Sequence, residues 1–312
     1  MTPPPVIPSP AAPPPSPIID AHLHVWDPAR VHYPWLGPHL APLDRTYRFD
    51  DVAPALEAAG VDAVILVQAA DDPADTALMQ RTADRHPEVV GIVAWAPLEA
   101  PDRVAATLDG LRRDDRIVGI RSLIHDKPAG WIAQSAQDAA IGMLADRGIP
   151  FDFVTRSPLA LTELARLLER HPTARVVVDH LGTAPLDGSA TERADWRRLL
   201  ADVAAHPLAH AKISGLFGPS TPRVAVDAVR EVVDVARDLF GADRLMYGGD
   251  WPVATLAADY GTTWGLIRGA LDGMPAADRE AILGGTAARF YRLDAERLAR
   301  AARPRDRSIR RD

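Results

Sequence analysis

The chain has 312 residues, 47% of them hydrophobic and 25% charged, a formal net charge of −7 and no cysteine. This is ordinary globular composition with enough length for a sizeable core, and it rules out disulfides, thiolate metal sites and a cysteine nucleophile. The acidic balance offers no general basic surface for nucleic acid, and no apolar run approaches the roughly 18 residues that a membrane span needs.

Residues 1–17, MTPPPVIPSPAAPPPSP, hold nine of the 29 prolines and no charged side chain. Without an apolar stretch they do not read as a secretory signal; a disordered or polyproline-like arm is expected. The folded body is expected over 18–293, in a single domain. Its first strand is IIDAHLHV (18–25), followed by VDAVILVQA (61–69), VVGIVAWA (89–96), RIVGIRSLI (116–124) and IPFDFVT (149–155). ARVVVDH (174–180), AHAKISGL (209–216) and RLMYGGD (244–250) complete eight. Between them run segments of helical period such as SPLALTELARLLERH (157–171), and ADREAILGGTAARFYRL (277–293) is expected to add a closing helical region. The basic RAARPRDRSIRRD (300–312) ends a tail, 294–312, expected to be solvated.

Strand–helix alternation at this spacing implies parallel strands with crossover helices, and eight units suit a (β/α)₈ TIM barrel. An open doubly wound sheet competes, but no GxGxxG turn is present. On a strand, side chains two apart share a face, which places Asp20, His22 and His24 together, inward and near the carboxyl rim. Filling a core with three ionisable groups is costly, although hydrogen-bonded core imidazoles are the bland alternative.

Other residues join them. His180 ends strand 6, and Asp250 ends strand 8, which neighbours strand 1 in a closed barrel. His22, His24, His180 and Asp250 are therefore the expected catalytic set. Arg121 from strand 4 could bind a carboxylate or oxyanion, or pair with a buried acid. Gln68, Arg156 and His125 are expected substrate contacts, and Trp26, with Trp35 and Trp131, a pocket wall. His86, His171 and His206 each end a helix before proline and are read as structural. Lys212 is expected to be paired internally.

IIDAHLHVWDP, VDAVILVQAA, IVGIRSLIHDKPAGWI, VVVDHLGTAPL, KISGL, YGGDWPV and ILGGTAARFYRL, spanning 18–293, together resemble the amidohydrolase superfamily. The likeness is to its lactonase-like branch, which includes sugar-acid lactonases such as fuconolactonase and the pyrone-dicarboxylate lactonases. It implies a hydrolase that opens a sugar-acid or related carboxylated lactone, an activity of carbohydrate metabolism. Asp250 would be the general base, and the histidines with an arginine would stabilise the oxyanion. Strand 5 offers no histidine and strand 4 no lysine where metal-dependent members place a ligand. The resemblance therefore implies either no required cofactor or a weakly bound zinc on His22, His24 and Asp250. The expected partner is a small-molecule lactone, with no nucleic acid and no membrane; the expected setting is cytoplasmic, and a homo-oligomer is compatible with it. A metal-dependent decarboxylase of the same superfamily and a non-catalytic ligand-binding barrel are the alternatives.

Overall fold

The computed structural model describes residues 16–217 and 225–302. The proposed Pro-rich arm, apart from residues 16 and 17, and the tail from 303 onward lie outside the described residues.

Eight parallel strands form one sheet in sequence order: β1 (Ile19–Leu23), β2 (Ala63–Val67), β3 (Val89–Trp95), β4 (Ile117–Ser122), β5 (Phe151–Phe153), β6 (Val176–Val178), β7 (Ala209–Ile213) and β8 (Leu245–Tyr247). Just beyond the last strand the sheet closes on the first. The Asp250 amide donates to the His22 carbonyl (2.7 Å) and the His24 amide to the Trp251 carbonyl (2.8 Å). The crossovers are α1 (Phe49–Ala59), α2 (Pro73–Ala83), α3 (Pro101–Leu111), α4 (Ser135–Arg147), α5 (Ala160–Arg170), α6 (Ala190–Ala204) and α7 (Val226–Phe240), with α8 (Tyr260–Ala270) after β8. This is the (β/α)₈ barrel that the strand–helix spacing predicts.

Local chemistry sets the helix ends. Asp72 caps α2 by accepting from the Ala74 amide, with Pro73 at the first position. Ser189 and Glu192 exchange side-chain and backbone hydrogen bonds at the start of α6. The histidines read as structural behave so: His171 pairs with Asp138 (3.2 Å), His206 meets the Pro172 carbonyl (3.1 Å), and the His86 ring packs on Phe49.

The faces of the strands divide the core in two. Outward residues such as Phe151, Phe153, Val176 and Val178 pack against the helices. Inward residues Ile19, Ala21, Ile65, Val67, Val177 and Met246 fill the barrel. Its amino end is closed by α9 (Ala276–Glu280), a π-turn (Ala281–Gly285) and α10 (Thr286–Phe290), which bring Ala287, Phe290 and Tyr291 into that inner cluster. Where a tail was expected from 294, Ala295–Ala301 forms a further helix, α11. Its Leu298 and Ala301 pack against the inner cluster, and Arg297 pairs with Asp115 (2.9 Å).

One expectation is corrected. Asp20 does not share a face with His22 and His24. Asp20 pairs with Val64 and Leu23 with Leu66, so β1 carries one residue more than β2 over this span. The bulge turns Asp20 toward the helical layer while re-aiming His22 inward. Asp20 is fully buried and accepts from the His22 amide (3.0 Å), the Gly249 amide (2.8 Å) and the Tyr260 hydroxyl (2.9 Å). Burial outweighs these hydrogen bonds and pushes its carboxyl up to about 6. Replacing Asp20 with Ala would strand three buried donors. We expect a loss of roughly 3 kcal/mol or more in urea denaturation, since each orphaned donor costs about 1–3 kcal/mol. Stability within about 0.5 kcal/mol of wild type would show that the bulge does not depend on this carboxylate.

Candidate active site

β1, β6 and β8 deliver the expected catalytic set to one point. The His22 ring lies 4.8 Å from that of His24 and 4.7 Å from that of His180, centroid to centroid. Asp250 Oδ1 is 3.5 Å from His22 Nε2 and 3.4 Å from His24 Nε2. Two of these residues hold costly backbone conformations, φ being 57° at His180 and 53° at Asp250. Left-handed backbone costs roughly 1–2 kcal/mol in a residue with a Cβ and persists where the surroundings enforce it. At His180 the surroundings are visible. Ser214 Oγ lies 2.9 Å from Nδ1, and Gly215 presses so close that a Cβ there would sit 2.3 Å from the same nitrogen.

Beneath the rim lies a buried cluster that the sequence reading only partly anticipated. Lys212 is paired internally, as expected, with Asp152 (2.5 Å) and Asp179 (3.1 Å). Tyr291 donates to Asp152 (2.7 Å). Asp179 also accepts from Arg121 Nη1 (3.0 Å), and its other oxygen lies 3.3 Å from His22 Nδ1. Burial alone would raise the Asp179 carboxyl, but Lys212, His22 and Arg121 hold it well below the usual range. Burial, aided by the Asp179 charge and resisted by Lys212, pushes Asp152 up to about 6. Burial likewise lowers His22 and His180, which are therefore neutral rings at pH 7. At Asp250, burial is outweighed by the three imidazoles facing it, and the carboxyl sits at about 2. It is ionised throughout the pH range of ordinary assays.

The rim opens into a cavity of about 430 Å³. His24, His180 and Asp250 lie at its base, and Arg121, His125, Arg156 and Trp26 also line it. Arg121 pairs with the buried Asp179 and also faces the cavity. Arg156 is exposed and pairs with Asp126 (3.0 Å). Burial, with Arg121 nearby, pushes His125 down to about 3. Two expectations differ. Gln68 is fully buried outside the cavity lining, donating to Asp71 (3.0 Å) and the Arg121 carbonyl (3.2 Å), so it ties the loop after β2 to β4. Trp131 is also outside the lining, beneath Lys127.

The protein-family model described as Amidohydrolase (Amidohydro_2) matches residues 19–293, the whole barrel. The chain belongs to this amidohydrolase family. It is 32% identical over 281 residues to an L-fucono-1,5-lactonase of Burkholderia ambifaria, covering 88% of this chain and 96% of that protein. An amidohydrolase of Burkholderia multivorans, solved with zinc bound, superposes with a TM-score of 0.82 at 31% identity, covering 89% of this chain and all of that one. A putative 2-pyrone-4,6-dicarboxylic acid hydrolase from Pseudomonas putida (TM-score 0.69, 20% identity, 88% and 97% coverage) shares the fold.

The donor set of this amidohydrolase fits a divalent metal. His24 Nδ1 is 2.7 Å from the Val67 carbonyl, which can only accept, so Nδ1 carries a proton and Nε2 is the nitrogen that faces His22 and Asp250. His22 Nε2 and His24 Nε2 are 3.1 Å apart. With Asp250 Oδ1 they form a triangle close to the ~3.3 Å ligand–ligand spacing of tetrahedral zinc at bond lengths of about 2.0–2.1 Å. His22, His180 and Asp250 also present donor atoms within 4.8 Å of one another. Arg121 Nη1 lies 3.3 Å from His22 Nε2, so a positive group stands beside this donor set.

The contact between Gly215 and His180 gives a test. Gly215→Ala must displace the His180 ring and strain a backbone at φ 54°. We expect an intact far-UV circular dichroism spectrum and a fall in kcat/KM of roughly 10², the scale of an ångström-level misplacement. Unchanged kcat/KM would remove His180 from the working site.

Proposed function

We propose that this amidohydrolase opens a lactone ring by attack of water on the acyl carbon, with Asp250 as general base. The observation that carries the reading is the placement of an ionised carboxylate with His24 and His180 at one cavity floor, His22 buried against them and a guanidinium beside them. The names of the relatives support it and supply sugar-acid or related carboxylated lactones as the starting class.

Asp250 takes a proton from the water as its oxygen bonds to the carbonyl carbon. The carbonyl oxygen, becoming negative, is met by the Arg121 guanidinium and the His180 ring in a site that excludes bulk water. The acyl–oxygen bond of the ring then breaks. Its oxygen leaves as a hydroxyl on receiving the proton held by Asp250, and the product is a hydroxy acid. His24, fixed by Val67, and His22, fixed by Asp179 and Lys212, pack against Asp250 and hold it in place. Zinc on His22, His24 and Asp250 would supply Lewis-acid polarisation and a lowered water pKa. Arg121 already brings positive charge to the same place, so we assign any metal an assisting part.

The decarboxylase alternative differs in needing a resident ion. We expect hydrolysis of aldonolactones to survive dialysis against chelator; an essential, stoichiometric metal would favour decarboxylation instead. Asp250→Asn keeps size and much of the hydrogen bonding but cannot accept the proton. We expect a folded protein with kcat lower by about 10² to 10⁴. Near wild-type kcat in that variant would remove Asp250 from the base role.

A further inference from the structure

Three consecutive carbonyls at the end of β2 each hold a side chain of the site or its walls. The Val67 carbonyl accepts from His24 Nδ1 (2.7 Å), that of Gln68 from Arg121 Nη2, and that of Ala69 from Trp35 Nε1 (2.7 Å). Arg121 and Trp35 both line the cavity. Val67 belongs to the strand itself. The other two carbonyls follow the ladder bond from the Gln68 amide to the Val93 carbonyl (2.9 Å), where the chain leaves the sheet.

Asp75 fixes those two peptide groups. It is fully buried in the first turn of α2, and its Oδ2 accepts from the amides of Ala69 (2.8 Å) and Ala70 (3.3 Å). Tyr33, from the loop after β1, donates its hydroxyl to Oδ1 (2.8 Å) and steadies the carboxylate. The Ala69 amide and the Gln68 carbonyl are two ends of one planar trans peptide group and point in opposite directions. Gripping the N–H end therefore aims the C=O end, here at Arg121. The Ala70 amide and the Ala69 carbonyl are related in the same way, and that carbonyl is aimed at Trp35. The order is anion, peptide dipole, cation, so each hydrogen bond also polarises the next.

We infer that Asp75 is a positioning residue for this reaction: through the Gln68–Ala69 peptide it sets where the Arg121 guanidinium meets the substrate. This rests on the part given to Arg121 in lactone hydrolysis. Asp179 holds Nη1 of that guanidinium (3.0 Å), and the Gln68 carbonyl holds Nη2. Without the second hold, the planar fork is free to swing about the first.

The test is kcat of the full chain on an aldono-1,5-lactone, with Asp75 and Arg121 varied singly and together. Asp75→Ala frees both peptides. Its kcat should fall about 10², the scale of an ångström-level misplacement, with the far-UV circular dichroism spectrum intact. Asp75→Asn keeps an oxygen for the two amides and should restore kcat to within roughly threefold of wild type. Arg121→Lys keeps a cation on Asp179 but lacks the second arm of the fork. In that background Asp75→Ala should cost less than about threefold more, since both changes act on one contact. Losses that simply multiply, an Asn variant as slow as the Ala variant, or wild-type kcat in Asp75→Ala would each overturn the inference. If Asp75→Ala does not fold, Asp75→Ser, with a hydroxyl too short to reach the amides, takes its place. Should the wild type hydrolyse no lactone, the lactonase reading falls, and a crystal structure of the Asp75 variant decides the positioning separately. Arg121 Nη2 displaced from the Gln68 carbonyl supports it; Nη2 unmoved overturns it.

Discussion

The architecture of the site depends on one buried carboxylate, that of Asp179. It is solvent-free, and an ionised acid in that position costs several kcal/mol unless its oxygens are met. They are met from three other strands: Arg121 on β4, Lys212 on β7 and His22 on β1. Satisfying Asp179 therefore fixes where those strands place their inward side chains. Nδ1 of His22 faces both the Lys212 ammonium (3.2 Å) and Asp179 (3.3 Å), which directs its Nε2 to the rim, beside Asp250 and His24. The His22 ring is thus held from below by an acid and an ammonium together. Asp152 and Tyr291 extend the cluster to the closing helical region, so the foundation of the site reaches through the barrel.

Above this foundation the rim is built from strained or irregular backbone. The β1 bulge re-aims His22, and left-handed residues carry His180 and Asp250. Strain of this sort is sustainable because close packing leaves no alternative: Gly215 abuts the His180 ring, and a Cβ on Gly248 would lie 2.5 Å from the His22 Cβ. The glycines of KISGL and GGDWP thus have a steric reason as well as a sequence one. A rigid, ionised Asp250 next to neutral imidazoles suits a reaction in which a proton must leave water before the ring opens.

The fold was legible because parallel strands covered on both faces are apolar runs, and the intervening helices announce themselves by period and caps. His22, His24, His180 and Asp250 were legible for a related reason, being polar residues where such runs end. The side on which Asp20 falls was not, because a bulge reverses alternation without leaving a signature in composition. Asp152, flanked by Phe151 and Phe153, carried a readable signal: an acid at the inward position of an otherwise apolar strand. Its meaning needed Lys212 and Tyr291, distant in sequence, to be placed beside it. Gln68, expected at the substrate, lies outside the cavity lining, because a polar residue at a strand end can serve either the cavity or the neighbouring loop. That choice is made by tertiary contacts with Asp71 and Arg121.

The central claim is that water, activated by Asp250, attacks the acyl carbon with no covalent enzyme intermediate. Single-turnover hydrolysis in ¹⁸O-water, on whichever lactone is turned over fastest, examines this directly. The account predicts one heavy oxygen in the new carboxylate of the product, none in the hydroxyl released from the ring, and none in the protein. Heavy oxygen in that hydroxyl, or in the Asp250 carboxylate after turnover, would contradict it.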